Sequence, residues 1–89
     1  MSDDSPNHDI LFRAKARTRR EACELYALAV GATVERRLES SDRGSLVLLL
    51  QGREIAVVNF GPALREYEAW REMGQVALAL LQYERLRSR

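Results

Sequence analysis

Residues 45–60, SLVLLLQGREIAVVNF, decide the fold because they are apolar at odd and even positions alike. In a half-buried strand, apolar and polar residues alternate, because successive side chains point to opposite faces of the sheet. Here the runs 46–50 and 55–58 offer no polar face. Strands buried on both faces lie inside a sheet, so this stretch predicts a central hairpin whose second face must also be covered.

The hairpin turn is predicted at Gly52–Arg53, because glycine as the first central residue fits a type II′ turn. This turn joins strands over 45–51 and 54–60 and places Leu48 opposite Val57. In that register a helix covers one face, and four apolar residues share the other face: Val47, Leu49, Ala56 and Val58.

The first third of the chain has two interpretations. In the first, the alternation of ILFRAKA predicts a strand over 10–16. Thr18 and Glu21 then stand at the spacing of a capping box, so a helix follows over 19–30. It ends at Gly31, because glycine takes the left-handed conformation at low cost.

In the second interpretation, a single helix begins near residue 9 and continues to residue 30. Small and apolar residues recur there at helical spacing and would form its stripe: Leu11, Ala14, Thr18, Ala22, Leu25 and Ala29. The two interpretations differ in whether 10–16 adds a fourth strand to the sheet.

The remaining elements are a strand and a long helix. Residues 33–39, TVERRLE, predict a strand with one polar face. Pro62 suits the first position of a helix, which the pattern extends over 62–87. This helix would be about 39 Å long, whereas a short strand spans about 20 Å. Its second half, with the apolar run VALALL, would therefore extend beyond the sheet.

We predict an α+β fold of the order β-α-β-β-β-α, with a mainly antiparallel four-stranded sheet and a long C-terminal helix. The strands with a polar face, 10–16 and 33–39, would form its edges. The alternative is α-β-β-β-α with a three-stranded meander. A disordered tail over 1–9 would precede a single domain over 10–89.

The alternative order resembles that of the double-stranded RNA-binding domain over most of the chain, in element order alone. That family places a lysine cluster at the start of its last helix. The matching stretch here contains no lysine: Ala63, Leu64, Arg65 and Glu66, followed by Tyr67 and Glu68. This departure from the family pattern argues against RNA binding.

Composition and charge are those of an ordinary globular domain, with 46% hydrophobic and 30% charged residues and a net charge of +1. A balance this close to neutrality predicts no general affinity for nucleic acid or membranes. The longest apolar runs fall far short of the ~20 residues that span a bilayer. The acidic start lacks the features of a signal peptide, so we expect a cytoplasmic protein.

Residues suited to catalysis or metal binding are scarce. His8 and Cys23 are the single histidine and the single cysteine, whereas metal sites and nucleophile–base pairs need several such groups. The glycines form neither a phosphate loop nor a dinucleotide-binding fingerprint. We therefore expect no catalytic, cofactor or metal site and no enzyme, and we interpret Cys23 as a small core residue.

A basic run over 13–20, RAKARTRR, offers nucleic-acid binding as an alternative function. Its cationic side chains would contact phosphates: Arg13, Lys15, Arg17, Arg19 and Arg20. The competing interpretation places the first three on the polar face of an edge strand, where charge prevents sheet-to-sheet association. We prefer the latter, because no aromatic residues for base stacking interrupt the run.

The second face of the hairpin gives the main functional hypothesis. Either the long helix covers it, or both helices share the first face and a partner covers the second, since isolated domains rarely expose large apolar patches. We predict a homodimeric, non-enzymatic protein-interaction module. Its role would be that of a small regulator, adaptor or inhibitor of another protein, a profile frequent among phage and mobile-element proteins. The predicted interface is Val47, Leu49, Ala56, Val58, Leu80 and Tyr83.

Overall fold

The computed structural model describes the backbone of residues 6–87 and the side chains of residues 17–87. The strands form an antiparallel meander in which the second strand lies between the other two. The described chain is therefore α+β, with the element order of the predicted alternative. Its elements are α1 (Pro6–Ala29), β1 (Ala32–Leu38), β2 (Gly44–Leu50), β3 (Arg53–Phe60) and α2 (Glu66–Arg87).

The predicted strand over 10–16 is wrong, and with it the four-stranded sheet, because this segment belongs to α1. Pro6 starts the helix, and neither proline nor glycine interrupts residues 7–30. The alanine, lysine and arginine residues of the segment are strong helix formers, so the helix continues through it. The first turn of α1 includes residues 6–9 of the predicted tail, and the rest of that tail lies outside the described residues.

The C-terminal end of α1 lies at Gly31, as predicted. Gly31 has a φ of 76°, and its amide donates to the Leu28 carbonyl at 3.0 Å. This left-handed conformation favours glycine and turns the chain into β1. The predicted capping box at Thr18 is wrong, because Thr18 lies inside α1 and not at its start.

The turn between β2 and β3 differs from the prediction by one residue. Gln51 and Gly52 have φ values of 53° and 78°, and positive φ at both central residues defines a type I′ turn. Leu50 therefore pairs with Arg53, and the predicted type II′ turn at Gly52–Arg53 is wrong. This change of turn moves the pairing of β3 by two residues, so it does not by itself exchange the two faces of the strand.

A β-bulge follows the turn. Leu49 pairs with Glu54, whereas Leu48 pairs with Ala56, so Ile55 is an extra residue in β3. Beyond the bulge the ladder is regular as far as Phe60. The turn and the bulge together set which residues of β3 face the helices.

Both helices cover the same face of the sheet. Ala56 and Val58 of β3 lie on this face and pack against the core. We call the opposite face, which neither described helix covers, the open face. The core joins both helices to the covered face of the sheet: Cys23, Ala27, Ala32, Leu46, Leu48, Phe60, Ala69, Trp70, Met73 and Ala77.

α2 begins later than the predicted residue 62. Residues 61–65 form a turn in which the Gly61 amide donates to the Leu64 carbonyl at 2.7 Å. Leu64 packs against the core, and the Arg65 carbonyl accepts the first bonds of the helix. With 22 residues, α2 is about 33 Å long, and its C-terminal part therefore outruns the strands as expected.

The two helices approach closely at Gly74. A Cβ atom at this position would lie 3.6 Å from the Cβ of Cys23, an ordinary van der Waals distance. Cys23 is fully buried, which confirms its interpretation as a small core residue. Burial also raises the pKa of its thiol to about 11, so the thiol stays protonated at neutral pH.

Replacing Leu48 with Ala should lower the free energy of unfolding by about 2–4 kcal/mol, because this fully buried central leucine would leave a cavity. Urea denaturation followed by circular dichroism measures the change. Leu25→Ala is the matched control, since Leu25 is 65% exposed on a helix; it should change stability by less than about 0.5 kcal/mol. Equal losses in both variants would contradict the core described above.

Candidate protein interface

The open face carries apolar residues along its middle and along β3. Val57 pairs with Val47 across the two strands and shares its face. Ile55 belongs to the same face by alternation from Ala56. Val57 is 51% exposed and Ile55 is 44% exposed. The exposed apolar surface of the open face is therefore concentrated on β3.

Charged side chains cross the middle of the open face. Arg37 donates from Nε to Glu35 Oε1 and from Nη1 to Glu54 Oε2, each at 2.9 Å. Since Arg37 belongs to β1 and Glu54 to β3, its guanidinium reaches over β2. This explains why Val47, below the bridge, is only 1% exposed although neither helix covers it.

Hydrogen bonding within the Glu35–Arg37–Glu54 bridge favours the charged forms of Glu35 and Arg37. The hydrogen bond from Arg37 lowers the pKa of the Glu35 carboxyl below its usual value. The two carboxylates in turn raise the pKa of Arg37. The centre of the open face is therefore polar and charged, in contrast to its β3 margin.

The six residues predicted to form the interface do not lie on one surface in the structure. Ala56 and Val58 pack against the core, because the turn and bulge place them on the covered face. Val47 and Leu49 do lie on the open face, although both are largely covered. The interface role of Val47 and Leu49 stays a prediction, whereas Ala56 and Val58 do not lie on the exposed face.

The two α2 residues predicted for the interface differ in their exposure. Leu80 packs against the core, whereas Tyr83 is 59% exposed. Val76, which the sequence analysis did not select, is exposed on the same side of the helix, since positions seven apart lie nearly above one another. Tyr83 and Val76 thus form an apolar strip on the outside of α2.

Sequence reasoning missed Ile55, Val57 and Val76. The signal for the type I′ turn was present in Gln51-Gly52, because glycine at the second central position is typical of such turns. That turn by itself leaves Val57 on its predicted face, and it is the bulge at Ile55 that moves Val57 to the open face. Val76 stands seven residues before Tyr83 in the helical pattern.

The stripe predicted for a continuous α1 faces mostly away from the core. Leu25 and Ala29 are exposed, while Cys23 and Ala27 are fully buried. The side chains of Leu11 and Ala14 lie outside the described residues. The predicted stripe is therefore not the packing face of α1 among the residues described. The packing face carries Cys23 and Ala27 instead.

The basic run lies in α1. The side chains of Arg13 and Lys15 lie outside the described residues, and Arg17 is exposed. Arg19 stacks on the Tyr67 ring at 5.0 Å from its centroid and donates to the Tyr67 carbonyl at 3.3 Å. Part of the run is therefore used in packing α1 against α2.

Arg20 is also held within the fold. Its guanidinium lies 5.1 Å from the Trp70 ring centroid, and its Nε lies 3.6 Å from Glu24 Oε1. Such stacking and ion pairing leave it less available for phosphates. The structure therefore does not present 13–20 as one continuous cationic surface over the residues it describes.

A second ion pair ties β1 to the start of α2. Arg36 donates from Nε and Nη2 to the two carboxylate oxygens of Glu66, at 2.6 and 2.8 Å. Trp70 Nε1 donates to Glu66 Oε2 at 3.0 Å. The hydrogen bond from Arg36, followed by that from Trp70, lowers the pKa of the Glu66 carboxyl despite its partial burial.

Two further structural findings concern other kinds of site. Among the described residues, no three His, Cys, Asp or Glu side chains are grouped so as to hold a metal ion. Neither helix, over its described residues, has the length and apolar character needed to cross a bilayer.

Comparison with known proteins found no matching family model, no matching curated protein and no matching solved structure.

The Glu66 ion pair should make stability depend on pH. Because its pKa is lowered by folding, its contribution is present above the unfolded value of about 4.5 and is lost as the pH falls through the folded value. Glu66→Gln should cost up to about 1 kcal/mol at pH 7. It should cost progressively less below pH 4.5, as followed by urea denaturation. A cost independent of pH would contradict this account.

Nucleic-acid binding by the basic run should be weak. We expect no binding to duplex DNA or RNA tighter than about 10 μM at about 150 mM salt, which is within the non-specific range. Fluorescence anisotropy at two salt concentrations measures it. Submicromolar binding that disappears when Arg13, Lys15 and Arg17 are replaced by Ala would favour nucleic-acid binding over protein interaction as the function.

Proposed function

We propose that this chain is a non-enzymatic protein-interaction module that forms a homodimer. The observation that carries the proposal is the placement of both helices on one face of the sheet. This placement leaves Ile55 and Val57 exposed on β3 and Tyr83 exposed on α2. Exposed apolar surface of this kind is typical of association sites.

Several features support self-association over other roles. Two-fold pairing is the commonest arrangement of small proteins. Tyr83 is an aromatic side chain with an exposed polar tip, a type enriched among residues that dominate binding energy. In the same role, the dimer would serve as a small regulator, adaptor or inhibitor of another protein.

The proposal predicts a dimer at micromolar concentration in sedimentation equilibrium. Val57→Asp should weaken the dimer at least about tenfold, because it would bury an unpaired carboxylate at the interface. Its circular dichroism spectrum should stay unchanged, since Val57 is half exposed. Leu25→Asp is the matched control: Leu25 is an exposed apolar residue of α1, and the dimer should persist.

A single species at the monomer mass of 10.2 kDa over the whole concentration range would refute the homodimer. Loss of the dimer in Leu25→Asp but not in Val57→Asp would instead place the contact on the outside of α1.

A further inference from the structure

The two edges of the sheet differ in how they are protected. An edge strand presents unpaired backbone groups, and proteins commonly guard it with charged side chains. β1 carries Glu35, Arg36 and Arg37, each of which forms an ion pair. β3 carries no charge over 55–60, the sequence IAVVNF. The β1 edge is therefore guarded, and most of the β3 edge is not.

The protection of β3 is limited to its first residues. Arg53 and Glu54 are charged, and the bulge at Ile55 interrupts the ladder next to them. From Ala56 to Phe60 the strand pairs regularly with β2 on one side. No strand within the described residues pairs with its other side.

The exposed side of α2 lies above this edge. α1 packs against β1 and α2 packs against β3, so the flank of α2 that faces away from α1 lies on the β3 side. Gly74 faces α1, because a Cβ atom there would point toward Cys23. Tyr83 comes about two and a half turns after Gly74, and Val76 lies about 200° from it around the helix. Both residues therefore face away from α1, on the side of α2 nearer to β3.

We propose that the homodimer forms by antiparallel pairing of β3 with β3 of a second copy, about a two-fold axis near Val57. The two three-stranded sheets would then join into one continuous sheet. Val57 would face Val57 of the second copy, and Ala56 would face its Val58. This inference rests on the homodimer proposed above and names the surface that forms it.

A second copy is the occupant that this edge matches best. Antiparallel pairing about a two-fold axis makes the centre of the strand its own complement, because Val57 meets Val57 on the open face and Ala56 meets Val58 on the covered face. The same axis brings together the two α2 flanks with Tyr83 and Val76. This addition matters because stable dimers bury about 1,200–2,000 Å², more than one short pair of strands supplies.

Stacking of two open faces is the competing geometry. It would press the Glu35–Arg37–Glu54 bridge of each copy against that of the other. Removing such charges from water carries a desolvation penalty that often exceeds the attraction regained. Edge pairing leaves the bridge in solvent, so the charge distribution favours the edge.

Two variants separate these geometries. Tyr83→Arg places a charge on the α2 flank, far from the centre of the open face, and should weaken the dimer at least about tenfold in sedimentation equilibrium. Thr33→Arg places the same side chain on the open face of β1, opposite Leu49, and away from the β3 edge. It should leave the dimer constant within about twofold, as expected for a residue outside the interface.

Amide hydrogen exchange of the wild-type chain, followed by NMR at low and high protein concentration, tests directly whether the β3 edge is paired. In an edge dimer the outward amides of residues 56–59 become hydrogen-bonded and exchange at least about tenfold more slowly at high concentration. Loss of the dimer in Thr33→Arg alone, with these amides still exchanging rapidly, would overturn edge pairing and leave the homodimer standing. A monomer at every concentration would refute both proposals.

Discussion

The packing of both helices against one face of the sheet is the constraint on which the rest of this structure depends. Small residues lie where the helices meet: a Cβ atom at Gly74 would point toward Cys23 and lie 3.6 Å from its Cβ. Trp70, Leu46 and Leu48 then fill the space between helices and sheet with almost no exposure. As a consequence, the chain has no helix left, among its described residues, to cover the open face and the β3 edge.

Charged residues make one part of that uncovered surface polar and leave another part apolar. Arg37 bridges Glu35 and Glu54 over β2 and makes the centre of the open face polar. Arg36 bonds Glu66 on the covered side and fixes the start of α2 to β1. Both bridges use β1, so one edge of the sheet is guarded by ion pairs, whereas β3 is uncharged over residues 55–60. This difference between the two edges is the basis for proposing that the dimer forms through β3.

The basic run illustrates how folding changes the meaning of a sequence pattern. As a strand, Arg13, Lys15 and Arg17 would share one face; in the folded chain the run lies in α1, and Arg19 and Arg20 stack on Tyr67 and Trp70. The aromatic partners belong to α2 and stand far away in the sequence. Their contact with the arginines therefore arises only in the folded chain.

The sequence by itself determined the α+β class, the central hairpin, the end of α1 at Gly31 and the buried Cys23, because these depend on local pattern and on glycine's conformational freedom. It left open whether 10–16 is strand or helix, since that segment fits both periods and the uninterrupted helix from Pro6 decided it. Only the tertiary structure decided which residues of β3 are exposed. A type I′ turn and a one-residue bulge set that register, and a shift of one residue exchanges the two faces of a strand. Ala56 and Val58 thus entered the core, and Val57 and Ile55 reached the surface.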